Sequence, residues 1–123
     1  MMMDDRNVSR IPLQVSRGCV VASIQVDLSE NVLVRFREDL LSLLQSSGSS
    51  GVVLDVSGVE VMDLRDFEAL RSTMAMAKLM GARTILAGLR SGVVSSLVEL
   101  EADTEEIVAA LDLDDAFRAV SYT

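Results

Sequence analysis

The sequence predicts an α/β domain: a mixed β-sheet with helices packed mainly on one face and a β-hairpin leading it. Three observations carry this. Ile11–Val15 and Cys19–Val26 are β-rich segments separated by Ser16, Arg17 and Gly18, a spacing that suits a tight hairpin. The run Val52, Val53, Leu54 has the short, β-branched character of a buried strand, and Arg83–Gly88 reads the same way. Segments of helical period lie between and after these strands, and such alternation builds a sheet with helices against it. At 123 residues, half of them hydrophobic, the chain fits one domain able to bury its own core.

Residues Met1–Arg10 are polar and without period, which predicts a flexible N-terminal arm before a domain spanning residues 11–123. Pro12 suits an edge or the start of a strand, because it has no N–H for a ladder. Asp27 or Ser29 can cap a first helix in which Leu33, Phe36, Leu40, Leu43 and Leu44 share a face, with Arg35, Glu38 and Asp39 opposite. The serine- and glycine-rich stretch Gln45–Gly51 reads as a loop returning to the central strand, which Asp55 closes. After a turn carrying Ser57 and Gly58, the apolar Val59, Val61 and Met62 lead to Asp63, placed to cap the next helix. In that helix Phe67, Leu70, Met74 and Ala77 form the apolar face. Met74, Met76 and Met80 are expected to fill gaps in the core rather than to form a partner groove. Gly81 stands where a C-terminal cap belongs. Leu89, Arg90 and Ser91 open a short helix reaching Leu100, and Glu105–Leu111 with Asp114–Val120 reads as a final helical pair or a broken helix. The expected order is ββαβαβαα.

Composition excludes several function classes. A net charge of −8 argues against sequence-independent nucleic-acid binding, which needs clustered Lys and Arg. Eight acids against one base from Glu99 onward make the last quarter the acidic end. The single cysteine, Cys19, lies in an apolar run, so no internal disulfide forms; a buried thiol and a cytoplasmic location are expected. No stretch has the length of apolar residues that spans a bilayer, and the N-terminus lacks a signal-peptide core, so no membrane association is expected. The absence of histidine removes Ser-His-Asp and Cys-His nucleophile arrangements and ordinary zinc sites. No cofactor or metal is expected.

Carboxylates and hydroxyls remain. Asp55, Glu60, Asp63 and Asp66 would form an acid–base pair or a Mg²⁺ site if they converged, yet acids at strand ends and helix caps serve structure first. A phosphoryl-accepting receiver domain is the rival reading, with Asp55 as acceptor at the end of a central strand. That chemistry needs further acids after the first strand and a lysine beyond a late strand. Here Asp4 and Asp5 precede the first strand, and the only lysine, Lys78, lies within a helix.

Taken together, VLDVSGVEVMD, KLMGARTILAGLR and IVAALDLDDAF resemble the STAS domain, the fold of bacterial anti-sigma-factor antagonists, over about Ile11 to Val120. More closely, the chain looks like the small single-domain STAS scaffold of the stressosome. The resemblance implies a non-catalytic protein that binds a serine/threonine kinase of the anti-sigma type and multi-domain STAS sensor proteins, with self-association, in a bacterial stress response. It places the partner-binding and switch loop at Asp55, Ser57, Asp63, Leu64, Arg65, Asp66 and Phe67.

In such proteins the hydroxyl after the aspartate equivalent to Asp63 is phosphorylated, and the added charge alters docking. This sequence has Leu64 there, followed by Arg65, and neither side chain accepts phosphate as serine does. Three explanations stay open: scaffolding without a switch at that point, replacement by another hydroxyl at Ser96 or Ser57, or alteration of a serine-bearing parent. Structural roles are the default for both serines. Two further departures are Ser91, where the family often has proline, and Glu101, where it often has glycine.

Overall fold

Arg17 and Gly18 both have positive φ, 54° and 74°, so the first turn is a two-residue type I′ loop whose twist matches its flanking strands. In the computed structural model, which describes residues 10–25 and 28–121, that turn joins β1 (Leu13–Ser16) to β2 (Cys19–Ser23). Ser16 is therefore the last residue of a strand rather than part of the turn, pairing with Cys19. The elements that follow are α1 (Glu30–Ser47), β3 (Gly51–Asp55), α2 (Leu64–Leu79), β4 (Arg83–Ala87), α3 (Ser91–Glu99), β5 (Ala109–Ala110) and α4 (Leu113–Ser121). Apart from Arg10, the expected arm lies outside the described residues, as do Val26, Asp27 and residues 122–123.

The sheet order is β1-β2-β3-β4-β5, antiparallel in its first pair and parallel in the rest. Each crossover from β2 onward steps one strand in the same direction. Right-handed crossovers taken that way all lie on one side, so α1, α2 and α3 share a face. The larger core forms there, with Phe36, Leu40, Leu54, Leu70 and Leu86 each at most 1% exposed. The opposite side of β2, β3 and β4 presents Cys19, Val21, Val53 and Ile85, which are covered by α4 through Ala116, Leu113 and Phe117. Arg17, bent into its turn, lies 4.9 Å over the Phe117 ring and ties the hairpin to α4.

Two expected boundaries are corrected. Helix α1 continues through Ser47 and ends at Gly48 (φ 64°), so the loop begins later than Gln45. Glu105–Leu111 is not a helix: it holds a turn and the two-residue strand β5, giving the order ββαβαβαβα. Main-chain pairing to β4 outweighs helix propensity there, with Leu86 N–H donating to the Val108 carbonyl at 2.9 Å. Ser29 caps α1, its Oγ accepting from Val32 N–H. Gly81 (φ 91°) ends α2 with both Schellman bonds, Gly81 N–H to Lys78 O and Ala82 N–H to Ala77 O. Of the methionines expected to fill the core, Met74 is buried and Met76 half-buried, but Met80, the C-cap of α2, is exposed.

Candidate functional site

The loop from Asp55 to Asp63 leaves the sheet between the ends of its two neighbouring strands. Ile24 N–H donates to Asp55 O, and Val56 N–H donates to Ala87 O, both at 2.9 Å. Asp55 Oδ1 accepts from Ser57 N–H at 3.0 Å, a side-chain turn that reverses the chain. Two glycines let neighbouring segments come close: a Cβ on Gly58 would lie 2.8 Å from Gln25 Cγ, and one on Gly88 would lie 2.9 Å from Ser57 Cβ. Val59 and Met62 are buried and anchor the loop, whereas Val61 is 83% exposed.

Arg90, at the N-cap of α3, fastens the same loop from the other side. Its Nε donates to the Ser57 carbonyl at 2.8 Å, and its Nη1 lies 3.8 Å from Glu60 Oε1. The first of these contacts spans 33 positions in sequence. It links the loop to the helix that carries the half-buried Ser96.

Helix α2 begins in a reciprocal capping box. Asp63 Oδ1 accepts from Asp66 N–H at 2.8 Å, and Asp66 Oδ2 accepts from Asp63 N–H at 3.4 Å. Burial pushes the Asp66 carboxyl above the usual carboxylate range; the bond from the Asp63 N–H lowers it, and the Asp63 carboxylate adds to the rise. Leu64 is the first residue of α2 and is half-buried, Arg65 is exposed, and Phe67 points into the core at 2% exposure. Phe67 thus anchors the helix, while Asp63, Leu64 and Arg65 form its accessible start. Asp63, Arg65 and Asp66 also border a cleft of about 560 Å³ whose other wall is α1, with Leu33, Val34 and Arg37.

Of the expected site residues, Asp55 and Ser57 lie in one turn and Asp63, Leu64, Arg65 and Asp66 in a second, each turn holding its own carboxylate by main-chain N–H groups, whereas Phe67 lies in the core and Ser96 on α3. Among the described residues, no group of three or more His, Cys, Asp or Glu converges as metal ligands would. The strand order also departs from the 2-1-3-4-5 order of the doubly wound receiver type, so the fold does not match the rival reading. Sequence reasoning missed the reciprocal role of Asp66, legible as an acid three residues after a capping Asp, and the Arg90 tie, which no local spacing announces. Among the described residues, no helix is long and apolar enough to cross a membrane.

Comparison with known proteins agrees with this architecture. The chain is 28% identical over 74 residues to the RsbT co-antagonist protein RsbRA of Bacillus subtilis, covering 60% of this chain and 27% of that one. It thus spans about a quarter of that relative's length. It superposes on a serine-to-glutamate variant of RsbS from Moorella thermoacetica with a TM-score of 0.78 and 26% identity, over 92% of this chain and 96% of the other. A chain of the stressosome, described as a signal integration and transduction hub, shares the fold with a TM-score of 0.76 and 24% identity, over 91% and 100% of the two chains. The STAS domain matches residues 10–118, and with that match extending over most of its length the chain belongs to the STAS domain family.

Proposed function

We propose that this chain is a non-catalytic scaffold of the anti-sigma-factor-antagonist type, which binds a serine/threonine kinase and multi-domain STAS proteins in a cytoplasmic stress-signalling assembly. The observation that carries the proposal is the start of α2: a complete capping box at Asp63 and Asp66 presents Leu64 and Arg65 at the surface, where the resemblance leads one to expect a phosphate acceptor. With Leu64 in that place, the loop 55–66 docks its partner without being switched there. Likeness to RsbS and RsbRA supports the choice of partners.

The test combines this chain with a multi-domain STAS protein and an anti-sigma-type kinase, with and without ATP. Co-elution on size exclusion that Leu64→Asp and Arg65→Glu weaken, with no phosphate on this chain, is the expected result. Stoichiometric phosphate on Ser57 or Ser96 would replace the unswitched reading with a switch at another hydroxyl. Phosphoester hydrolysis by the purified chain in Mg²⁺, abolished by Asp55→Asn, would overturn the scaffold reading itself.

A further inference from the structure

Strand β4 outruns its neighbour. All five of its residues pair with β3, whereas β5 pairs only with Leu86 and Ala87. In a parallel ladder the main-chain groups of successive residues point alternately to the two neighbours. Arg83 N–H donates to Ser50 O on the β3 side at 3.0 Å, and Leu86 N–H donates to Val108 O on the β5 side at 2.9 Å. By the same alternation Thr84 turns its N–H and C=O toward β5, where neither has a main-chain partner among the described residues. The cause lies at Glu106, whose φ of 67° bends the chain away, with Ile107 N–H closing a turn onto Thr104 O.

Two clefts flank this open edge, one on each face of the sheet. The first, about 280 Å³, lies on the α2 side and is walled by Met74 and Ile107. The second, about 470 Å³, lies on the α4 side and is walled by Ile85, Val108 and Ala119. Lys78, Thr84 and Glu106 border both. An extended chain sends successive side chains to opposite faces, so a strand adding at Thr84 would drop alternate residues into the two clefts.

Charge selects what those residues are. The α4-side cleft is bordered by Lys78 and Arg83 against one acid, Glu106, and neither cation has an ion-pair partner among the described residues. On the α2 side, Glu68, Glu105 and Glu106 outnumber the cations Arg71 and Lys78, and Arg71 is already paired with Asp103 at 2.9 Å. The acid excess of the first cleft excludes an acidic side chain, and Met74 and Ile107 offer it an apolar wall. The second suits a glutamate, its stem on Val108 and its carboxylate at Lys78 and Arg83.

We propose that the β4 edge at Thr84 accepts an extended segment of a partner protein in which apolar and acidic residues alternate. The segment adds as a strand beside β4, at a surface separate from the α2 start. The probe is a five-residue blocked peptide alternating valine and glutamate, added to ¹⁵N-labelled full chain at moderate salt. The Thr84 amide should shift most and exchange more slowly with solvent, while the amides of α3 stay in place. A matching valine–lysine peptide should bind at least fivefold more weakly. The −8 charge of the chain favours that cationic peptide at long range, so an acidic preference must come from the groove. Lys78→Glu with Arg83→Glu, both at exposed positions, should reverse the preference without loss of the native spectrum. The proposal falls if the Thr84 amide is unmoved at millimolar peptide, if the two peptides bind alike, or if the double variant keeps the acidic preference.

Discussion

Asp63 and Asp66 cap one another across the first turn of α2, each carboxylate accepting the other's main-chain N–H. Two like charges are thereby held side by side at the positive end of a helix, where their mutual repulsion is offset by the helix dipole and by N–H groups that otherwise lack partners. Asp63→Ala should cost about 1 kcal/mol, while Asp63→Ser or Asp63→Asn should recover most of it. Urea unfolding of the three variants measures this. Equal losses in all three would mean that the cap contributes through charge rather than through its acceptor.

The raised pKa of Asp66 has a signed consequence. A carboxyl whose pKa rises on folding binds more protons in the native chain than in the unfolded chain between its two pKa values. Its contribution to stability is thus largest in acid and declines as pH increases from the ordinary carboxylate value through the folded one. Asp66→Asn keeps an acceptor for the Asp63 N–H and removes the titration. The variant should show a flatter decline of urea midpoint over that interval and should lose nothing at neutral pH. A steeper decline in the variant would contradict the assignment.

Glu101 occupies a position made for glycine. With φ 56° it follows the α3 C-cap Leu100, and the bonds Glu101 N–H to Val98 O and Ala102 N–H to Leu97 O complete a Schellman ending. Glu101→Gly should stabilise the chain by about 0.5–1 kcal/mol, because a left-handed conformation strains any residue with a Cβ. Glu101→Ala keeps that strain and removes the charge. If thermal unfolding showed the two variants equally stabilised, the acidic surroundings rather than the backbone would be the cause.

The hairpin, the central strand and the caps at Ser29, Asp63 and Gly81 were legible in the sequence because each depends on residues within a few positions. Strand β5 was not, since two residues held only by β4 leave no period of their own and the acids around them read as a helix surface. Cover on the second face had a signal: Val20–Ala22 and Val52–Leu54 are apolar at every position, as strands buried on both sides are. Ser91 and Glu101, visible as departures from a family pattern, gain their meaning as the first position of α3 and the residue just past its end, places that favour proline and glycine. The Arg90 tie to Ser57 joins parts far apart in sequence, and only the fold brings them together.

Gly88 and Gly81 separate two kinds of glycine requirement. Both have positive φ, but a Cβ at Gly81 meets nothing within 4 Å, whereas one at Gly88 meets Ser57 Cβ at 2.9 Å and Asp55 Oδ1 at 3.3 Å. Gly81→Ala should cost about 1 kcal/mol from the backbone alone. Gly88→Ala should cost at least about 2 kcal/mol, since the Asp55–Ser57 turn must also shift. Amide shifts at Ser57 and Gly58 should accompany the second substitution only. Equal costs would show that the loop gives way freely and is not held by β4.

Leu64→Ser is the single change that bears most directly on the proposed function. The residue opens α2 and is half-buried, outside the large buried core, so the substitution should cost no more than about 1–2 kcal/mol. The new hydroxyl would sit at the start of the helix, where main-chain N–H groups and the dipole stabilise a phosphate. Arg65 adds a cation next to it, and Asp63 and Asp66 add repulsion. With an anti-sigma-type kinase and ATP, the variant should take up one phosphate and lose affinity for its partner, while the parent chain takes up none. A variant that remains unlabelled beside a serine-bearing relative labelled in the same reaction would show that Leu64 does not occupy the acceptor position. Docking through the start of α2 would then have to be argued from contacts alone.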